Sequence, residues 1–161
     1  METLYFDSLQ FVYHLALAIL VGGAVVLGLA AAPAIFASVS SRGEAGAIFG
    51  AVLGRYDVFA VPCVFLIFAT SVLKATAFEV TGIPETRLIV RWLALLILCG
   101  ATLYSSVWAS PVARSIRAQT PGWDDLREDA PLRREFQSLH RSARRAMTVA
   151  ILAGVFAMFL S

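Results

Sequence analysis

The stretch SLQFVYHLALAILVGGAVVLGLAAAPAIFASVSS, residues 8–41, runs for 34 positions between Asp7 and Arg42 without one charged side chain. A helix needs about 20 predominantly apolar residues to cross the hydrocarbon core of a bilayer. This run exceeds that length, and it lacks the polar stripe that a helix of a soluble bundle turns to water. It reads as a membrane span. The segment before it, METLYFDSLQ, has no basic residues, and the run is far too long for the apolar part of a signal peptide, so the helix is expected to be retained.

Three further runs follow the same logic. Sixteen uncharged residues separate Asp57 from Lys74, 22 separate Arg91 from Arg114, and 16 run from Ala146 to Ser161. The shorter two reach full length if polar residues at their ends sit in the interface and long side chains snorkel. Only 15% of the chain is charged, against about 25% in an ordinary soluble domain. The expectation is an all-α integral membrane protein. It forms one transmembrane domain over residues 1–161, an antiparallel four-helix bundle running up-down-up-down, with spans near 9–37, 55–78, 88–110 and 137–160.

Charge sets the orientation. Ten arginines, 42, 55, 114, 117, 127, 133, 134, 141, 144 and 145, fall on one side of the expected bundle, and Lys74, Arg87 and Arg91 on the other. Basic loops stay in the cytoplasm. Both termini are therefore expected outside the cytoplasm, in the plasma (inner) membrane, with a basic inner rim facing anionic lipid. A net charge of +2 implies no affinity for nucleic acid.

Helix limits carry ordinary signals. Ser41-Arg42-Gly43-Glu44 has capping-box spacing. Pro131 suits the first turn of the last helix, and Pro62 predicts a kink in the second. From Pro131 onward, Leu132, Phe136, Leu139, Ala143 and Met147 form an apolar stripe, so the last helix is expected to extend beyond the membrane on the cytoplasmic side. Gly46, Gly50 and Gly54, like Ala24, Gly28 and Ala32, recur every four residues. Such spacing lets backbones approach closely in lipid, and it predicts packing of the second helix on the first.

Polar residues near spans sort into two layers. Lys74 and Arg91 lie at the outer face with Tyr13 and His14. Arg55, Tyr56, Asp57, His140, Ser142 and Arg144 form the expected inner polar network, in which Asp57 pairs with His140 or Arg144 while Arg141, Arg144 and Arg145 fan outward. His14 and His140 stand roughly 20 Å apart along the membrane normal, too far to clamp one haem. Either histidine alone remains a candidate cofactor ligand, haem b being the group considered, with arginines for its propionates. No catalytic constellation, phosphate loop or metal-ligand set is present in the sequence, and Cys63 and Cys99 read as inert thiols. The mid-membrane region holds hydroxyls but no ionisable group, which disfavours a small-solute or metal transporter. The leading expectation is a non-enzymatic accessory or packing module of a membrane assembly, with the bilayer, a second copy or a larger complex as its partners.

Several motifs carry a family likeness. Ala32-Pro33-Ala34-Ile35-Phe36 ends the first helix, and Ala45-Gly46-Ala47-Ile48-Phe49-Gly50 leads to Arg55-Tyr56. Pro111 and Arg117 close the third, and Phe136-x-x-Leu139-His140-x-Ser142 precedes the last span. In this order and spacing the chain resembles the transmembrane protein 205-like family, which implies a four-helix membrane protein without an assigned activity. The asparagine common after that last element is replaced by the stretch Arg144-Arg145-Ala146. A first-helix histidine followed by glycines and P-x-x-F is more remotely similar to the copper-resistance D and membrane protoporphyrinogen oxidase groups. That likeness implies metal or haem chemistry at His14, with Lys74 at similar depth.

Overall fold

The computed structural model describes residues 2–80 and 82–161 and contains, among them, helices and no strand. Four long helices carry the fold: α1 (Thr3–Ser38), α2 (Arg42–Glu79), α3 (Thr86–Ala118) and α4 (Pro131–Phe159). At 1.5 Å per residue they measure about 44 to 57 Å, against a hydrocarbon core of about 30 Å. α2, α3 and α4 begin or end several residues beyond 55–78, 88–110 and 137–160, and α1 begins six residues before 9–37 and ends one after it. Residues such as Arg42, Asp57 and Arg114 extend a helix without being able to sit in lipid.

Local chemistry explains the ends. The Glu44 amide donates to Ser41 Oγ at 3.3 Å, so Ser41 caps α2 as its spacing requires. Pro131 occupies the first turn of α4, where its missing N–H costs nothing. Pro62 lies within an uninterrupted stretch of α2. Wider π-helical turns occur at Ala18–Gly22, Leu27–Ala31, Ala75–Glu79 and Tyr104–Ala109. Two of them directly precede Pro33 and Pro111, where a widened turn absorbs the clash between a proline ring and the carbonyl four residues earlier. The loop from 119 to 130 contains one short 3-10 turn, Trp123–Asp125, entered through Gly122 at φ +64°, a left-handed conformation that favours glycine.

Packing is inverted relative to a water-soluble bundle. The most extensive contacts are α1 on α2 and α3 on α4. Small residues dominate the inward faces: Ala60 of α2, Ala94, Thr102, Ser105 and Ala109 of α3, and Ala143, Ala150, Gly154 and Ala157 of α4 are buried. Large apolar side chains point out, with Leu29 78%, Leu152 66% and Phe65 63% exposed. Lipid is the environment that makes both choices favourable, because close backbone approach rather than hydrophobic burial holds helices together there.

Burial is uneven along the helices. On α1 every buried residue lies between Tyr13 and Ala24, and none lies between Leu27 and Ser38. On α4 the first buried residue is Ala143. The core of Tyr13, Leu17, Leu20, Val64, Ile67 and Leu98 thus fills only the half of the molecule nearer Lys74 and Arg91.

The closest approach in that half is testable. A β-carbon added at Gly154 would collide with the Val21 side chain and meet Leu98 Cδ1 at 3.4 Å, whereas one at Gly100 meets nothing within 4 Å. Gly154→Leu is expected to cost about 1–3 kcal/mol by overpacking and to lower the thermal midpoint in detergent. Gly100→Leu should leave it unchanged.

Candidate functional site

Where the core stops, a cavity of about 1600 Å³ begins. It lies at the end of the molecule that carries the turn at residues 39–41 and the loop at 119–130, and all four helices contribute to its wall. Among the described residues Arg42, Arg114, Arg117, Arg133, Arg141, Arg144 and Arg145 line it, together with the carboxylate of Asp57.

The glycine run of α2 builds one wall. A methyl at Gly46 would stand 2.8 Å from Arg117 Nη1, and those at Gly50 and Gly54 would touch Arg114. These glycines therefore make room for guanidiniums of α3, which differs from the expected packing of α2 on α1. The other small-residue run behaves alike: Gly28 and Ala32 of α1 also face the cavity. Arg117 reaches across to donate to the Gly43 carbonyl at 2.6 Å. Arg114 donates through Nη2 to Asp57 Oδ2 at 3.2 Å. Asp57 accordingly pairs with Arg114, not with His140 or Arg144. The glycine wall brings the helix-three guanidinium close enough to take the carboxylate. Arg114 Nη1 is buried and has no hydrogen-bond acceptor among the described residues.

Helix α4 builds the opposite wall. Arg133, Phe136, His140, Arg144, Met147 and Ile151 recur at three to four residues and line the cavity as one stripe, beside the buried Ala150–Gly154–Ala157 stripe, while Gln137 and Ala143 line it too. Arg141, Arg144 and Arg145 border the cavity and are exposed, while His140 is partly buried. The His140 ring stacks on Phe136 with centroids 5.9 Å apart and planes 4° from parallel. Trp123 folds the long loop over the rim. Its ring packs edge-on against Phe136 at 5.1 Å, and Arg133 lies over it at 5.7 Å while donating to its carbonyl at 2.9 Å.

Not all of the expected inner network converges here. Asp57, His140 and Arg144 share the cavity. Arg55 is exposed. Tyr56 turns the other way, donating to the Leu20 carbonyl at 2.6 Å. Ser142 accepts from Tyr104 Oη at 3.0 Å and donates to the Leu139 carbonyl. The sequence reading placed Arg114 at the inner face without pairing it with Asp57, and it missed Arg117, Arg133 and Trp123 as members of a site. The three-residue step from Arg114 to Arg117, facing a glycine run on another helix, was the signal available.

A second polar cluster occupies the opposite end. Lys74, 2% exposed, and Arg91, 5% exposed, share the Glu79 carboxylate, with Lys74 Nζ 3.6 Å from Glu79 Oε1 and Arg91 Nη2 bonded to Oε2. Lys74 also donates to Gln10 Oε1 and sits over the Tyr13 ring at 4.9 Å. Sequence reading named Lys74 and Arg91 but overlooked Glu79 and Gln10, which join α1, α2 and α3. Beside this cluster His14 Nδ1 lies 3.1 Å from the Gln10 carbonyl and Nε2 3.3 Å from Ser161 Oγ. His14 does not line the large cavity. Among the described residues no group of histidine, cysteine, aspartate and glutamate side chains is arranged to hold a metal ion, and Cys63 and Cys99 are free thiols.

Four helices of membrane-crossing length, small residues inside and large apolar residues outside define a multi-pass membrane protein. Within that class the chain belongs to the family described as Domain of unknown function (DUF4149), whose model matches residues 15–121. The match spans most of α1, all of α2 and α3 and hence Asp57, Arg114 and Arg117, and it stops before the basic stripe of α4. No curated protein and no solved structure matches the chain.

The two ion clusters differ in burial, and their substitution should separate them. Glu79→Gln leaves two buried cations without a counter-charge and is expected to cost about 3 kcal/mol or more. Asp57→Asn breaks a half-exposed pair and is expected to cost about 1 kcal/mol. Denaturation of both variants in detergent checks the order.

Proposed function

We propose that the protein is an accessory module of the inner membrane that works by binding, its working part being the basic cavity, a receptacle for an anionic group. Arg42, Arg141, Arg144 and Arg145 on the described cavity wall carry this reading. Arg114 pairs with Asp57, and these four guanidiniums add positive charge beside that pair. Guanidinium forks bind carboxylates and phosphates through paired, charge-assisted hydrogen bonds. His140 is the one imidazole of the described lining, and a single such group beside arginines suits recognition better than acid–base catalysis.

The bundle runs up-down-up-down. Supporting pairs along α1 and α2 proceed in opposite chain directions: Gln10 with Lys74, Leu20 with Tyr56, and Phe36 with Phe49. Both termini lie outside the cytoplasm, and the cavity opens at the cytoplasmic face, as the ten-to-three bias of basic residues favours. The order of motifs from Ala32-Pro33 to Leu139-His140 supports kinship with the transmembrane protein 205-like family. As an accessory module the protein presents its lipid-facing surface to a second copy or to a larger complex.

Single cysteines placed at Ile83 and at Glu128, in a background lacking Cys63 and Cys99, test the orientation. Ile83→Cys should react with an impermeant maleimide from outside intact cells and Glu128→Cys only after lysis; the reverse pattern inverts the topology. For the cavity, an added phosphate ester or anionic lipid should raise the thermal midpoint of the native protein, and Arg114→Gln/Arg144→Gln should respond far less. An equal response from that variant removes the reading.

A further inference from the structure

Along α1 the residues Leu15, Ile19, Gly22, Val26, Leu29 and Pro33 follow one another at alternating steps of four and three, and all of them are exposed. Phe36 continues the series, 47% exposed. Such alternation keeps one stripe turned toward a partner helix along its whole length. The upper part of the stripe lies at the height of lipid, but the lower part does not. Tyr56 bonds to the Leu20 carbonyl and Phe36 meets Phe49, so α1 below Leu20 runs beside the stretch of α2 that carries Arg42, Glu44 and Arg55. Arg114 and Arg117 of α3 border Gly54 and Gly46 in the same layer. Charges of this density lie outside hydrocarbon. In that layer Leu27–Ser38 has no buried residue, and Leu29 is 78% exposed. An apolar face beyond the lipid calls for a protein to cover it.

We propose that α1 pairs with α1 of a second copy, side by side along this stripe. The inference rests on the reading of the protein as an associating membrane module and adds its partner and its face, whatever the cavity holds. Copies inserted the same way are related by an axis along the membrane normal, so in a two-fold pair each face meets itself at its own height. Charge then excludes the other faces. Arg42 and Arg55 are exposed on α2, Arg87 on α3, and Arg134, Arg141 and Arg145 on α4, and each would meet its own copy. From Ser8 to Ser41 α1 has no charged side chain. Gly22 sits near the middle of the stripe; a β-carbon there meets nothing within 4 Å, and its absence lets two backbones cross closely.

The full chain, lacking Cys63 and Cys99 and carrying single cysteines, is reconstituted in phosphatidylcholine vesicles. Val26→Cys and Leu29→Cys should cross-link between copies under mild oxidation, and Gly28→Cys, which faces the cavity, should not. Leu29→Arg sets like charges across the pair and should leave a monomer, read by energy transfer between differently labelled copies as protein is diluted in lipid. Ser138→Arg, exposed on α4, should keep the dimer. Both arginine variants should retain the helix content of the native protein by circular dichroism, so a lost dimer is not a lost fold. A native protein that is monomeric at every dilution, cross-linking at Gly28→Cys as strong as at Leu29→Cys, a dimer that survives Leu29→Arg, or one lost equally in Ser138→Arg overturns the proposal; lipid or another protein then covers the stripe. The thermal shift by phosphate ester is measured on the same preparations. A monomer with that shift intact removes the dimer alone, and a dimer without it removes the anion reading alone.

Discussion

In hydrocarbon a helix gains nothing by hiding leucine from its surroundings, so helices hold together only where their backbones come close. This chain meets that condition in one half of its length. There Ala150, Gly154 and Ala157 of α4 lie against α1 and α3, and the Lys74–Glu79–Arg91 cluster ties α1, α2 and α3 through charges kept out of lipid. In the other half some small residues are buried, Ala45 and Ala109 among them, but others line the cavity. The glycines of α2 border guanidiniums, and Gly28 of α1 borders nothing. Close packing at one end and separation at the other produce the cavity.

The same contrast decides where charge can sit. Near the packed end, two cations and one carboxylate are almost fully enclosed and must satisfy one another. Around the cavity, the arginines border a space that admits water, which screens like charges from one another. One cluster is a closed clasp, and the other borders open space.

Much of this was legible in the chain itself. The run from Ser8 to Ser41 defines a membrane helix by length alone, Ser41 and Pro131 mark helix starts, and the arginine bias separates the two ends. The site was legible only in part. Asp57, His140 and Arg144 were grouped because depth along a helix follows from residue number. The choice of Arg114 as the partner of Asp57 depends on which helix faces the glycine wall, and a small-residue period is the same whether the facing surface is a backbone or a guanidinium. Glu79 escaped notice because it lies in a widened turn at the end of α2, where a regular helical period no longer tells which way a side chain points.

The bond from Tyr56 to the Leu20 carbonyl falls inside the first π-helical turn of α1, just above the point where that helix stops being buried. Below it the arm from Leu27 to Ser38 extends for about 18 Å at the usual helical rise, held mainly by α2 on one side. Leu20 stands about 27 Å from Ser38 at that rise, so a tilt of about ten degrees at the hydroxyl-bound turn would move the far end by about 5 Å. The Tyr56 hydroxyl thus fixes α1 to α2 close to where burial ends, and beyond Ala24 no buried residue of α1 adds a second anchor.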